Sequence, residues 1–378
     1  MAEQDKRIPA IVERNRDVEH IVYASSRYGH HGFGRRNKDK LFSMLVSTDI
    51  HHCPSVIEAA VDYLNYHEPL DCGICLGDII AADFREDGSW YTEHVLRAEK
   101  PFLTLLGNHD VGNSAEPPLA ATSQMAFEKY MRPVAEKIGV AGLDKPYYVR
   151  LFDEYKIALV ALHVFDTPDG MDEKGNYAVH RGMEMLSQAQ IDWLIDTLAT
   201  IPADYHLAIA MHAYPFGHVA EPGAWTQQDK DLGSLSAWDK AYGATNLLPD
   251  IIHAWKTGTA RRASYAPRYS NLPTVTVDCD FSARGEGQFI GYLVGHYHRD
   301  VIAHSDQYPS QKIIAFASAA NDAWQNYDCD LPRAEGTKAE DLLTVCSIDT
   351  EKREIRLVRV GSNITMEMTE RTYTVITY

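Results

Sequence analysis

The sequence has no long apolar stretch and no excess of basic residues, and each absence excludes a class of protein. The longest largely apolar stretch, 157–165, is far shorter than the roughly 20 residues that a membrane-spanning helix needs. Acidic residues outnumber basic ones by 53 to 36, which gives a formal net charge of -17. Because a uniformly acidic surface repels polyanions, we expect neither a nucleic-acid partner nor a membrane partner.

Cysteine is also scarce, with six in 378 residues. The first ten residues, MAEQDKRIPA, lack the apolar core of a signal peptide, so we expect a cytoplasmic protein with free thiols. Cys72 and Cys75 form a C-x-x-C pair, but no second pair at matched spacing accompanies them. The pair lies in a predicted buried strand, where a small apolar residue is ordinary, and it does not predict a zinc or redox site.

Short apolar runs alternate with helical patterns, which is typical of a largely parallel α/β sheet. Pro54 begins a predicted helix between the first two runs. Ser187 and Gln190 have the spacing of a capping box and predict the start of another helix. A further helix is predicted at 247–255. The predicted strands are 41–47, 72–76, 101–106, 147–152, 156–164, 207–211, 289–294, 312–318, 342–348, 354–360 and 372–378.

Side chains of the metal-binding type follow five of these strands directly. They are Asp49 and His51, then Asp78, then Asn108 with His109 and Asp110, then His212, and finally His296 and His298. Because the carboxyl ends of the strands form the ligand crevice of an open α/β sheet, we expect these groups to converge. Imidazole and carboxylate ligands together suit Mn, Fe, Zn or Co.

The spacing within each motif supports the same interpretation. In D-x-H and H-x-H the two outer side chains point the same way, since alternate residues share a face. Glycines precede Asp78, Asn108 and His296, and they permit tight turns and close approach of the backbones. Taken singly, an aspartate after glycine is usually a turn residue, and a histidine on an apolar strand usually belongs to the core. The five motifs in order favour a metal site.

The ordered set D-x-H, G-D, G-N-H-D, H and G-H-x-H resembles the calcineurin-like metallophosphoesterase superfamily over residues 41–318. The S-x-x-Q-x-x-W-L helix before His212 is similar to that of members that hydrolyse small phosphoesters and cyclic nucleotides. The resemblance implies a four-layer α/β/β/α sandwich of two mixed β-sheets flanked by helices. It also implies two transition-metal ions (Mn, Fe or Zn, divalent or trivalent). One would be held by Asp49, His51, Asp78 and His298, and the other by Asp78, Asn108, His212 and His296.

The resemblance also implies roles for two residues that are not ligands. His109 corresponds to the histidine that acts on the leaving group, and Asp110 would orient His109 by accepting a hydrogen bond. The expected reaction is attack on phosphorus by a hydroxide that bridges the two metals.

These expectations divide the chain into three parts. Residues 1–40 form a polar N-terminal extension, and residues 41–318 form the metallophosphoesterase catalytic domain, with 216–285 as an insertion or cap. Residues 319–378 form a β-rich segment that completes the second sheet.

Several substrates and functions remain open at this point. We favour small phosphodiesters, because Ala82 and Leu106 stand where the related protein phosphatases carry arginines, and Ala81 stands where purple acid phosphatases carry a tyrosine ligand. Tyr214 or Phe216 is expected to contact the organic part of the substrate. The alternatives are a phosphomonoesterase for nucleotides or sugar phosphates, a non-catalytic scaffold, and a DNA-repair nuclease, which the acidic charge disfavours. The oligomeric state is left open.

Overall fold

The computed structural model describes residues 8–26, 41–81, 88–111, 123–140, 143–166, 183–223, 225–226, 239–240, 246–267, 272–320, 333, 335–362 and 372–378. The α-helices in these ranges are α1 (Ala10–Arg14), α2 (Arg16–Ser26), α3 (Pro54–Tyr66), α4 (Ser89–Val95), α5 (Ser123–Ala126), α6 (Arg132–Lys137), α7 (Gln188–Thr200) and α8 (Leu247–Thr257). A π-helical turn, Phe127–Met131, joins α5 to α6, and Lys338–Glu340 is a 3₁₀ turn. None of the helices in the described ranges has both the length and the apolar character that crossing a bilayer requires.

One six-stranded sheet is built around the first predicted strand. Its strands are β1 (Leu41–Ser47), β2 (Cys72–Cys75), β3 (Phe102–Thr104), β15 (Leu342–Asp349), β16 (Glu354–Gly361) and β17 (Tyr373–Thr377), and their order in space is β17-β16-β15-β1-β2-β3. β1, β2 and β3 are parallel, as their apolar runs predicted, whereas β15, β16 and β17 run antiparallel to their neighbours. The parallel strands therefore end at one edge of the sheet.

A second sheet has seven strands. They are β4 (Tyr148–Phe152), β5 (Ile157–Ala161), β7 (His206–Met211), β8 (His218–Ala220), β12 (Gln288–Val294), β13 (Val301–Ser305) and β14 (Lys312–Ala315), in the order β4-β5-β7-β12-β14-β13-β8. β5, β7, β12 and β14 are parallel. Two small sheets pair β6 (Met183–Glu184) with β9 (Asp239–Lys240), and β10 (Ala260–Tyr265) with β11 (Val275–Asp280).

The two large sheets pack together and each carries helices. α2, α3 and α6 contact the first sheet, and α7 and α8 lie on the side of the second. Between the sheets, the phenol of Tyr148 on β4 accepts a hydrogen bond from the backbone N–H of Thr104 on β3, at 3.2 Å. Phe42 on β1 packs against Phe152 with ring centroids 4.4 Å apart. The expected four-layer sandwich of two mixed sheets is confirmed.

The structure corrects one feature of the sequence analysis and adds two that the analysis did not contain. The C-terminal strands extend the sheet that contains β1, through the β1–β15 pairing, and do not complete the second sheet. Part of the N-terminal extension is helical, because α1 and α2 bury Ile11, Val12, Val18 and Val22 against the core. The strands β6, β8, β9, β10, β11 and β13 were not predicted. β8 forms an edge of the second sheet, so part of the 216–285 segment belongs to the core layers.

The helix α7 begins where the capping pattern predicted, but only half of the expected box forms. The hydroxyl of Ser187 accepts a hydrogen bond from the backbone N–H of Gln190, at 3.2 Å. The side chain of Gln190 instead bonds both the N–H and the carbonyl of His163, each at 2.9 Å, and also donates to Asp166. This cap therefore also holds the loop that follows β5.

Substituting Ser187→Ala should lower the free energy of unfolding by about 1 kcal/mol, because one helix N–H loses its acceptor. The loss can be larger, since the Ser187 hydroxyl also donates to Asp166. Urea unfolding followed by circular dichroism measures the difference. The matched control is Ser264→Ala, at an exposed position of β10, which should be nearly neutral. Equal effects of the two substitutions would show that the cap does not contribute.

Candidate metal centre

The five motifs lie at the carboxyl ends of β1, β2, β3, β7 and β12, and their backbones are joined by hydrogen bonds. The N–H of Asp49 donates to the Gly77 carbonyl at 2.9 Å, and the N–H of His51 donates to the Asp78 carbonyl at 3.0 Å. The N–H of Gly295 donates to the His212 carbonyl at 2.9 Å. The N–H of His296 donates to Asp49 Oδ2 at 3.0 Å, so loops from both sheets meet at one place, as the strand-end pattern predicted.

A first group of side chains brings two carboxylates and two imidazoles together. The Nε2 atoms of His51 and His298 lie 2.9 Å apart. Asp49 Oδ1 is 3.2 Å from His298 Nε2, and Asp78 Oδ2 is 3.8 Å from His51 Nε2. One potential ligand atom from each of the four residues lies within 4.8 Å of the others. This group could hold one metal ion.

A second group shares Asp78 with the first. Its other members are His212 and His296, again with potential ligand atoms within 4.8 Å of one another. Asp78 Oδ2 lies 3.2 Å from His212 Nε2, so the oxygen that faces His51 also faces this second group. The two groups therefore form a cluster that could hold two ions with Asp78 between them.

The protonation of His212 is fixed by its backbone contact. Its Nδ1 lies 2.9 Å from the carbonyl oxygen of Leu76, which can only accept, so Nδ1 carries the proton and Nε2 faces the carboxylates. Burial opposes the charged form of His212, yet Asp78 and Asp49 raise its pKa to about 9. The two carboxylates therefore place negative potential at Nε2.

The buried side-chain oxygen of Asn108, the residue before His109, also suits a metal ligand. Among the described residues, no group forms a hydrogen bond with Asn108 Oδ1. Buried polar atoms normally have a partner, because leaving one unsatisfied is unfavourable by about 1–3 kcal/mol. Burial lowers the pKa of His51 to about 4 and that of His296 to about 3, so both rings are neutral, as coordination requires. The donor set therefore suits a pair of transition-metal ions.

Three glycines allow the loops to approach one another, as the sequence predicted. A Cβ atom at Gly107 would overlap Asp78 Oδ1, and one at Gly295 would overlap Thr48 Oγ1. Gly77 has a φ of 110°, and a Cβ there would lie 2.5 Å from the Gly107 nitrogen. The carboxylates can reach the cluster only because these positions have no side chain.

The backbone of the cluster is strained. Positive φ values occur at Asp49 (51°), His51 (47°), Asp78 (55°), His296 (65°) and His298 (58°). The left-handed conformation is unfavourable by roughly 1–2 kcal/mol for a residue with a Cβ atom. The surrounding hydrogen bonds therefore hold each of these side chains in a conformation that it would not adopt alone.

His109 and Asp110 both lie at the cluster, but with other partners than the expected pairing. The carboxylate of Asp110 accepts hydrogen bonds from the N–H groups of Ile79 and Gly107, both at 2.8 Å. His109 Nδ1 contacts the Ala81 carbonyl, and His109 Nε2 lies 3.9 Å from Asp78 Oδ2. Asp110 therefore ties the loop after β3 to the loop after β2 through the backbone.

Sequence reasoning missed several residues that support the cluster. Thr48 donates to Asp49 Oδ2 at 2.7 Å, and Ser318 donates to the Asp49 carbonyl at 2.8 Å. The guanidinium of Arg333 bonds the Ser318 carbonyl at 2.8 Å and also bonds the carbonyls of the next two residues. Ser318 could have been found from the sequence, because it directly follows a predicted strand, as the metal-binding residues do. Nothing in the local sequence indicates a role for Arg333.

The expectation that aromatic residues after His212 line the pocket is wrong for the two that were named. Tyr214 is fully buried and its ring lies 5.1 Å from that of Tyr292 in the core. Phe216 is also buried and packs edge-on against Tyr214 at 5.4 Å. Both rings therefore stabilise the second sheet and are not available to a ligand.

Substituting Gly295→Ala should weaken metal retention, because the new methyl group must displace Thr48 and, with it, the hydrogen bond to Asp49. We expect fewer ions per chain than in the unmodified protein when both are purified without chelator and measured by elemental analysis. Gly223→Ala is the matched control, since a Cβ there meets nothing within 4 Å. Full metal content in the Gly295 variant would contradict the proposed role of the close approach.

Comparisons with known proteins agree with this architecture. The family model described as calcineurin-like phosphoesterase matches residues 42–232, a little over half of the chain. No curated protein sequence matches the chain significantly.

Three of the solved structures to which the chain is similar are the following. PhoD is 10% identical, with 89% of this chain and 68% of that chain covered and a TM-score of 0.46. A purple acid phosphatase from yellow lupin (Lupinus luteus) seeds is 10% identical, with 89% and 54% covered and a TM-score of 0.43. The phosphopantetheinyl hydrolase of Mycobacterium tuberculosis is 11% identical, with 73% and 89% covered and a TM-score of 0.35.

The family match covers the loops after β1, β2, β3 and β7, which are four of the five that build the cluster. The cluster itself has the carboxylates and imidazoles that a binuclear metal site needs. The chain belongs to the calcineurin-like phosphoesterase family and is a metal-dependent hydrolase of phosphoester bonds.

Proposed function

We propose that the protein hydrolyses small phosphodiesters, with two metal ions held by the clustered side chains. One ion would be held by Asp49, His51, Asp78 and His298, and the other by Asp78, Asn108, His212 and His296. The observation that carries the proposal is the sharing of Asp78 Oδ2 between His51, at 3.8 Å, and His212, at 3.2 Å. When bound, two such ions activate water for attack on phosphorus and stabilise the charge that develops on the phosphoryl oxygens.

His109 is suited to protonate the leaving group. Its side chain is 19% exposed, more than that of His298 at 14%, whereas the Asp49 and Asp78 side chains are almost fully buried. Because Nδ1 faces the Ala81 carbonyl, which can only accept, Nδ1 holds one proton and Nε2 is the atom that exchanges the other. Nε2 lies on the side of Asp78, and the exposure of the ring lets a substrate reach it.

Two features favour a small phosphodiester as the substrate: the net charge of the chain and the limited exposure of the metal cluster. The net charge of -17 disfavours long polyanions. Leu106, at the position where the related protein phosphatases carry an arginine, is buried in the core and offers no charge to a phosphoprotein. Among the described members of the cluster, only His109 and His298 exceed a tenth in side-chain exposure, so the ions would be reached from one side. A recessed site of this kind favours a small substrate.

Substituting His109→Ala should leave both ions in place and lower kcat by roughly 10²–10⁴-fold, because the general acid is lost. The loss should shrink for an ester with a good leaving group such as nitrophenol, which needs little protonation. The measurement compares kcat on alkyl and nitrophenyl esters, with metal content determined on the same samples. His20→Ala, at an exposed position of α2, is the control. An equal loss on both kinds of ester would refute the acid role.

The substrate class is tested by kcat/KM on bis-nitrophenyl phosphate, nitrophenyl phosphate, cyclic nucleotides, a phosphopeptide and single-stranded DNA. We expect one of the two diester classes, the bis-nitrophenyl ester or the cyclic nucleotides, to be preferred over the monoester. A preference of tenfold or more for the monoester or the phosphopeptide would replace the proposal with a phosphomonoesterase. Retention of two ions with no turnover of any substrate would instead favour a non-catalytic scaffold.

A further inference from the structure

A buried carboxylate outside the sequence motifs lies beside the metal cluster. Glu184, on the short strand β6, has a side chain with no exposed surface. Its Oε1 atom lies 3.8 Å from Nε2 of His296. His296 belongs to the second group of potential ligands, with Asp78 and His212. Glu184 therefore faces the cluster through this histidine.

The backbone fixes Glu184 in this place. The N–H of Met185 donates to the Val164 carbonyl at 2.7 Å, and Phe165 pairs with Met185 in an isolated bridge. The ring of Phe165 lies 6.1 Å from that of His212 and 6.3 Å from that of His296. Glu184 directly precedes Met185, and Met185 pairs with Phe165, whose ring lies near both histidines. The backbone therefore places the Glu184 side chain beside the metal cluster.

The chemistry of the pair points to a particular tautomer. An imidazole that ligates a metal uses one nitrogen for the metal and commonly donates the N–H of the other to a carboxylate. A carboxylate beside Nε2 favours the proton on Nε2, which leaves the Nδ1 lone pair for a cation.

We propose that Glu184 is a positioning residue of the metal centre: its charge favours the tautomer of His296 with the proton on Nε2, which leaves Nδ1 to bind the ion that Asp78 and His212 would also hold. The inference rests on the proposed function. Glu184 lies beside His296, which belongs to the second group and not to the first, so its negative charge acts mainly on the second group. Removing that charge should therefore weaken the two ions unequally.

The test uses the protein with its ions bound, dialysed against increasing concentrations of a chelator, with retained metal measured by elemental analysis. In Glu184→Gln, which keeps the size of the side chain, one ion should be lost at a 10–100-fold lower chelator concentration than in the unmodified protein. The second ion should be lost as before. Asp341→Asn is the matched control, because this buried carboxylate pairs with Arg14 of α1 and is not a member of the metal cluster.

A second measurement does not depend on how the variant folds. Nitrogen NMR of the unmodified, zinc-loaded protein should show His296 protonated at Nε2 and bound to metal through Nδ1. The opposite tautomer, or equal retention of both ions by the Glu184→Gln variant and the unmodified protein, would overturn the inference. If either result is found while the unmodified protein holds two ions, the inference fails and the proposed function stands. If the unmodified protein holds no metal, the proposed function itself is refuted.

Discussion

The buried carboxylate of Asp78 is the group around which the site is arranged. Its Oδ2 faces His212 Nε2 at 3.2 Å and His51 Nε2 at 3.8 Å, while its Oδ1 accepts the backbone N–H of His109 at 2.8 Å. His51 comes from the first sheet and His212 from the second. The two sheets must therefore pack in one relative position for this carboxylate to reach both histidines, and the glycines at the crossing points permit that packing.

A cluster of buried acids and histidines with left-handed backbones is unfavourable by itself. Two carboxylates and the strained positions raise the free energy of the folded chain, and a cation at the cluster lowers it. Metal binding and folding are then linked, since the ligand set exists only in the folded state. The neutral rings of His51 and His296 fit the same conclusion, because protonated rings could not coordinate.

Two arginines in the C-terminal part of the chain hold loops that border the metal cluster. Arg359, on β16, forms a fully buried ion pair with Asp300, which lies two residues after His298. Arg333 bonds the carbonyls of the loop that contacts Asp49. The C-terminal part of the chain thus does more than extend the first sheet, because Arg359 fixes the loop that follows β12 and Arg333 fixes the loop that follows β14.

The sequence by itself determined the parallel strands and the residues of the cluster, because both depend on local patterns. An apolar run followed by Asp49 or His296 predicts a strand with a polar side chain at its carboxyl end. This prediction does not depend on which strands are its neighbours in the sheet. Only the tertiary structure decided that β15 pairs with β1, that Asp110 bonds backbone amides and that Tyr214 is a core residue. It also decided that Glu184 lies beside His296. These contacts join residues tens or hundreds of positions apart, and their partners are selected by packing and by satisfaction of buried polar groups, which no local pattern encodes.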